Sequence, residues 1–148
     1  MKLKGTYCLI IYKNKKETIK IGALGKIEFQ KGYYIYIGSA MNSLIPRLKR
    51  HLSDDKKLHW HIDYLLKKSK IIELFYTTST RKIECKLAEH INKNQTGIID
   101  FGCSDCQCQS HLVYYKNKTS AIESVKNAYT DLNISYFDLD DFNKLINS

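Results

Sequence analysis

Tyr33-Tyr34-Ile35-Tyr36-Ile37-Gly38 is the most strand-like run in the chain, aromatic and β-branched residues in succession closed by a glycine. A second such run, Gly5-Thr6-Tyr7-Cys8-Leu9-Ile10-Ile11-Tyr12, lies upstream. Each run sets tyrosine close to glycine, in Gly5-Thr6-Tyr7 and Tyr36-Ile37-Gly38, and the two strands can lie side by side in one sheet. Between them, Lys13-Asn14-Lys15-Lys16 reads as a turn into Glu17–Gly22, which predicts a hairpin with the first strand. A short strand around Ile27-Glu28-Phe29 then reaches a Lys31-Gly32 turn.

Downstream the pattern becomes helical. Asn42 or Ser43 can cap a helix, Pro46 fits its first turn, and Leu44, Leu48 and Leu52 form its apolar stripe, with Arg47 and Arg50 off that stripe. A second helical stretch is predicted over 58–68, burying Trp60, Ile62, Leu65 and Leu66, followed by a strand over 71–77. Ser79 or Thr80 can cap a third helix to about Asn94, with Ile83, Leu87 and Ile91 on one face and Gly97 as its stop. Strands follow at 98–101 and 111–115. The tail shows a capping box in Ser120-Ala121-Ile122-Glu123, a helix to about Leu132, a short extension at 134–137 and a last helix capped by Asp138. These elements predict an α+β fold: a small central antiparallel or mixed sheet flanked by helices, with an inserted strand pair and a C-terminal helical tail.

With 148 residues, 43% of them hydrophobic, the chain has the material for one compact core. The formal charge is +9, unevenly spread. Residues 119–148 carry five acids against two lysines, a net −3, so the first 118 residues hold +12. We therefore divide the chain into a basic domain, 1–118, and an acidic helical extension, 119–148, packed on the same globule. A surface this positive attracts phosphate, which makes nucleic acid the expected partner. No apolar run approaches the roughly 20 residues that span a bilayer, and Met1-Lys2-Leu3-Lys4 leads straight into a strand pattern. The expectation is a soluble, cytoplasmic protein with no membrane partner.

Arg47 on the first predicted helix and Glu84 near the start of the third complete a series with Tyr7 and Tyr36. Two tyrosines, an arginine and a glutamate in that order resemble the GIY-YIG nuclease superfamily. Lys4-Gly5-Thr6-Tyr7, 32–40, Arg47–Leu52, Leu58–Leu65, Glu84–Ala88 and Ser104–Leu112 are closer still to a little-characterised microbial subfamily, sometimes fused to endonuclease III-type glycosylases. The resemblance implies a metal-dependent endonuclease acting on DNA, with Tyr7 as general base or water-orienting group, assisted by Tyr36. The chemistry suits these residue types on its own terms. Glu84 offers a hard oxygen ligand for one Mg²⁺ (or Mn²⁺), and Arg47 or Arg50 can fork onto phosphate. Residues 8–35 separate the motif tyrosines where the superfamily has a tight hairpin, which is why a strand pair must be inserted. The superfamily's completing asparagine has no clear counterpart; Asn92, Asn94 and Ser104 are positional candidates only.

The basic span from Arg47 to Lys70 is the candidate backbone-tracking surface, with Lys49, Arg50, His51, Lys56, Lys57, His59 and His61 as nucleic-acid contacts. Cys103, Cys106, Cys108 and His111 are packed into nine residues, so a structural Zn²⁺ site is expected on Cys106, Cys108 and His111 with Cys85, His59 or His61 as further donor. A zinc deaminase is disfavoured, because His59-Trp60-His61 lacks the His-x-Glu proton shuttle. The rival to the nuclease is a non-catalytic nucleic-acid-binding module of the same fold, with or without the zinc, acting as a partner of DNA-repair proteins.

Overall fold

The computed structural model describes residues 3–40, 43–54, 57–58, 60–78, 83–92 and 111–147. Its centre is β1 (Gly5–Lys13), nine residues buried almost throughout. On one side β1 pairs antiparallel with β4 (Gly32–Ala40), and on the other with β5 (Lys70–Tyr76). β6 (Leu112–Tyr115) extends the sheet beyond β4, and the two-residue β7 (Phe137–Asp138) extends it beyond β5. The order is β6-β4-β1-β5-β7, antiparallel at every pairing.

Because side chains alternate across a strand, β1 feeds two cores. Tyr7, Leu9 and Ile11 pack on one face with Leu44 and Leu48 of α1 (Leu44–Leu52), Ile62 and Leu65 of α2 (His61–Leu66) and Phe142 of α5 (Leu139–Ile146). Cys8 and Ile10 pack on the other face with Leu87, Ala88 and Ile91 of α3 (Glu84–Asn92), and with Ala121, Val125, Ala128 and Tyr129 of α4 (Lys118–Asp131).

The inserted pair is present as β2 (Glu17–Lys20) and β3 (Lys26–Phe29), a separate two-stranded sheet joined through a short 3₁₀ turn at Gly22–Leu24. It corrects the expected hairpin of the first two strands. Both ladder edges of β1 are taken by β4 and β5, so β2 turns away and pairs with β3. The buried ammonium of Lys13, 2.7 Å from Glu17 Oε1, holds the connection.

Helix bounds also differ from expectation. α2 starts at His61 rather than at 58, with Trp60 half-buried just before it. The Ser120 capping box is not used: α4 begins at Lys118, and the Ala121 N–H is already held by the Asn117 carbonyl. The Asp138 cap does form, its Oδ1 accepting the Asp141 N–H at 3.0 Å. Ser79, Thr80, Asn94, Gly97 and the strand expected over 98–101 lie outside the described residues. The acidic extension packs into both cores through α4 and α5. Among the described residues, no helix is long and apolar enough to cross a membrane.

Candidate active site

The ladder places Tyr7 directly opposite Gly38. A Cβ at position 38 would stand 2.6 Å from the Tyr7 hydroxyl oxygen, so glycine is what lets the phenol lie across β4. From there the hydroxyl meets His51 Nε2 at 2.8 Å in a buried contact. Tyr36 lies near both, its ring centroid 6.5 Å from that of Tyr7 and 6.2 Å from that of His51.

Helix α1 delivers Arg47 and His51 one turn apart. Arg47 Nη1 donates to the Ser39 carbonyl at 3.0 Å, and its guanidinium carbon stands 4.4 Å from the centre of the Trp60 ring. Burial pushes the Tyr7 phenol up to about 12, although the charge and hydrogen bond of Arg47 pull the other way; Glu84 and Asp63 add to the rise. Tyr36 is also raised well above the usual phenol range, first by burial, then by Tyr7 and Glu84. Tyr7, Tyr36, Arg47 and Glu84 thus share one electrostatic neighbourhood.

Glu84 is the first residue of α3, where the positive end of the helix dipole favours a carboxylate. Its Oε1 lies 3.5 Å from Nδ1 of the buried His111. The His111 carbonyl accepts the Ile37 N–H at 2.9 Å, fixing that residue beside the motif strand. Burial lowers the His111 imidazole below the ordinary histidine range, with Glu84 opposing the shift.

The family described as Domain of unknown function DUF123 matches residues 6–134. The chain belongs to that family. No curated protein and no solved structure matches it. The match runs from the second residue of β1 in this DUF123 chain past the end of α4.

Two residues assigned to nucleic-acid contact have other employment in the DUF123 fold. His51 is only 3% exposed and sits against Tyr7, so it is a member of the buried cluster and not of the phosphate-tracking surface. Arg50 places Nη1 2.8 Å from Oδ1 and Nη2 2.9 Å from Oδ2 of the fully buried Asp63, and Nη2 also donates to the Lys57 carbonyl at 2.7 Å. Its fork is spent on a carboxylate, whereas the charge and hydrogen bond of Arg47 act on Tyr7. Lys49 and Lys57 are exposed and His61 is half-buried. Lys56, His59, Cys103, Cys106 and Cys108 lie outside the described residues, which hold no group of three metal-ligating side chains. Cys85 is half-buried next to Glu84.

Sequence reasoning missed His51 as a partner of Tyr7, Asp63 as the ligand of Arg50, and His111 as the neighbour of Glu84. The first had a signal. Leu44, Leu48 and His51 follow the i, i+4, i+7 spacing of an inward stripe, so the helix period itself turns the imidazole toward the core.

Proposed function

We propose that this chain is a metal-dependent endonuclease of the GIY-YIG type that hydrolyses phosphodiester bonds in DNA, working in the cytoplasm in repair or recombination. The observation that carries the reading is the buried 2.8 Å contact between Tyr7 and His51, made within the fields of Arg47 and Glu84. A phenol held near 12 is ionised in only about one molecule in 10⁵ at pH 7, so Tyr7 acts as a neutral group. With the imidazole proton on Nδ1, Nε2 accepts the Tyr7 hydroxyl. The attacking water then gives its proton to the Tyr7 oxygen while the proton of Tyr7 passes to His51 Nε2, and no free tyrosinate is needed. Arg47 faces the phosphate, held by its hydrogen bond to the Ser39 carbonyl.

Glu84 fits a hard divalent cation, a largely screened carboxylate oxygen at a helix start that would leave most of the ion's water in place. When bound, Mg²⁺ or Mn²⁺ neutralises charge on the phosphate and the departing oxygen. The positive charge of the first 118 residues supports a polyanionic substrate.

The high pKa of Tyr7 also favours a second reading, in which the fold binds DNA for a repair partner without turnover. One experiment separates them. Labelled linear, nicked and branched DNA are incubated with wild type and Glu84→Ala in Mg²⁺ and in Mn²⁺. Cleavage that disappears in the variant supports the nuclease; salt-sensitive binding without cleavage supports the binding module; neither one removes both.

A further inference from the structure

Between α1 and α2, Trp60, Arg50 and Asp63 form an arrangement around Arg47 to which the reaction assigns no part. The guanidinium carbons of Arg47 and Arg50 lie 4.4 and 4.3 Å from the centre of the same Trp60 indole. Two like charges on one ring repel, and stacking both is favourable only if one is neutralised close by. Asp63 does this for Arg50 through the bidentate pair at 2.8 and 2.9 Å. The same carboxylate also anchors the Trp60 backbone: Oδ2 accepts the Trp60 main-chain N–H at 2.8 Å, and the Asp63 main-chain N–H donates back to the Trp60 carbonyl at 3.0 Å. Asp63 is fully buried, so this clasp sits in low dielectric with its acceptors aimed at the arginine and the Trp60 main-chain amide.

Arg47 has no carboxylate partner of this kind among the described residues. Ser39 takes one of its terminal nitrogens and the indole takes its flat face. A long side chain that would otherwise lose rotamer freedom on meeting phosphate is held in a single plane beforehand. We infer that Trp60, clasped by Asp63 and Arg50, is a positioning residue that presents the Arg47 guanidinium to the scissile phosphate. The inference rests on the nuclease reading for its kinetic consequence, but the placement of Arg47 can be measured without it.

The test uses the full chain. The Nε–Hε resonance of Arg47, identified by its loss in Arg47→Ala, is recorded in wild type, Trp60→Phe, Trp60→Leu and Asp63→Asn, with thermal melting to establish that each variant is folded. The expected result is a ring-current shift in wild type, partly kept in Trp60→Phe and Asp63→Asn, and lost in Trp60→Leu. In single-turnover cleavage, Trp60→Leu lowers the rate about tenfold with DNA affinity changed less than about twofold; Trp60→Phe recovers part of the loss, and Trp60→Leu adds nothing in the Arg47→Ala background. A resonance that keeps its wild-type position in folded Trp60→Leu overturns the inference, as does a rate loss that multiplies with that of Arg47→Ala. If Trp60→Leu does not fold, the resonance in Trp60→Phe and Asp63→Asn decides. If wild type cleaves no DNA, the nuclease reading falls, and the resonance alone determines whether Trp60 fixes Arg47.

Discussion

Tyr7 owes its position to a missing side chain on the neighbouring strand. Adding one at Gly38 would drive a methyl group to 2.6 Å from the phenol, and the ring must swing away from His51 to admit it. Gly38→Ala is therefore expected to cost about 1–3 kcal/mol in stability and on the order of 100-fold in cleavage, read by a urea melt and a single-turnover rate. Wild-type values for both would show that the ring is not anchored there. Tyr7→Phe keeps the ring and deletes the proton path, so the expected signature is a rate loss of about 100-fold or more with the melting temperature little changed. A variant that cleaves at full speed would remove Tyr7 from the reaction. At this scale the order along the chain pointed to Tyr7, Tyr36, Arg47 and Glu84 as neighbours, and in the fold the charges of Arg47 and Glu84 act on both phenols. The sequence was opaque where a partner is chosen in space. Nothing local says that Arg50 spends its fork on Asp63, thirteen residues away, or that His111 comes to stand beside Glu84.

Helices and strands were read best where their signals are local. The Asp138 cap is such a case, with reciprocal 3.0 Å hydrogen bonds to Asp141 at the start of α5. Asp138→Ala is expected to cost about 1 kcal/mol, a fall of roughly 2–4 °C in calorimetry; an unchanged midpoint would mean that Phe142 packing alone holds the helix. The similar pattern at Ser120 misled because a capping box says where a helix can start, and the Asn117 carbonyl had already opened this one. Strand pairing was the least legible feature. The turn after Lys13 was read, but whether β2 returns along β1 depends on whether that edge is open, and β4 and β5 close both edges from far along the chain.

The two cores set how the molecule responds as a whole. Because α4 contributes Ala121, Val125, Ala128 and Tyr129, and α5 contributes Phe142, removing residues 119–148 takes away part of each core. The truncated chain is expected to lose cooperative melting as well as DNA binding; a folded 1–118 fragment would show the extension to be dispensable. Burial also makes the fold sensitive to alkali. It raises Cys8 from 9.0 to about 12 and Tyr7 from 10.0 to about 12. Between those limits the unfolded chain has lost protons that the folded chain keeps, so stability falls as pH rises, by about 1.4 kcal/mol per pH unit for each group. Urea melts at several values between pH 8 and pH 11 should show this decline, and Cys8→Val should flatten it by one proton's share; a level profile in wild type would contradict the burial of both groups. The central place of β1 has a last consequence, for the nascent chain. This most deeply buried strand leaves the ribosome before both of its neighbours, which follow only at residues 32–40 and 70–76. Until then both of its edges are open to pairing with other chains, so chaperone demand should peak between the emergence of β1 and that of β5 and fall afterwards.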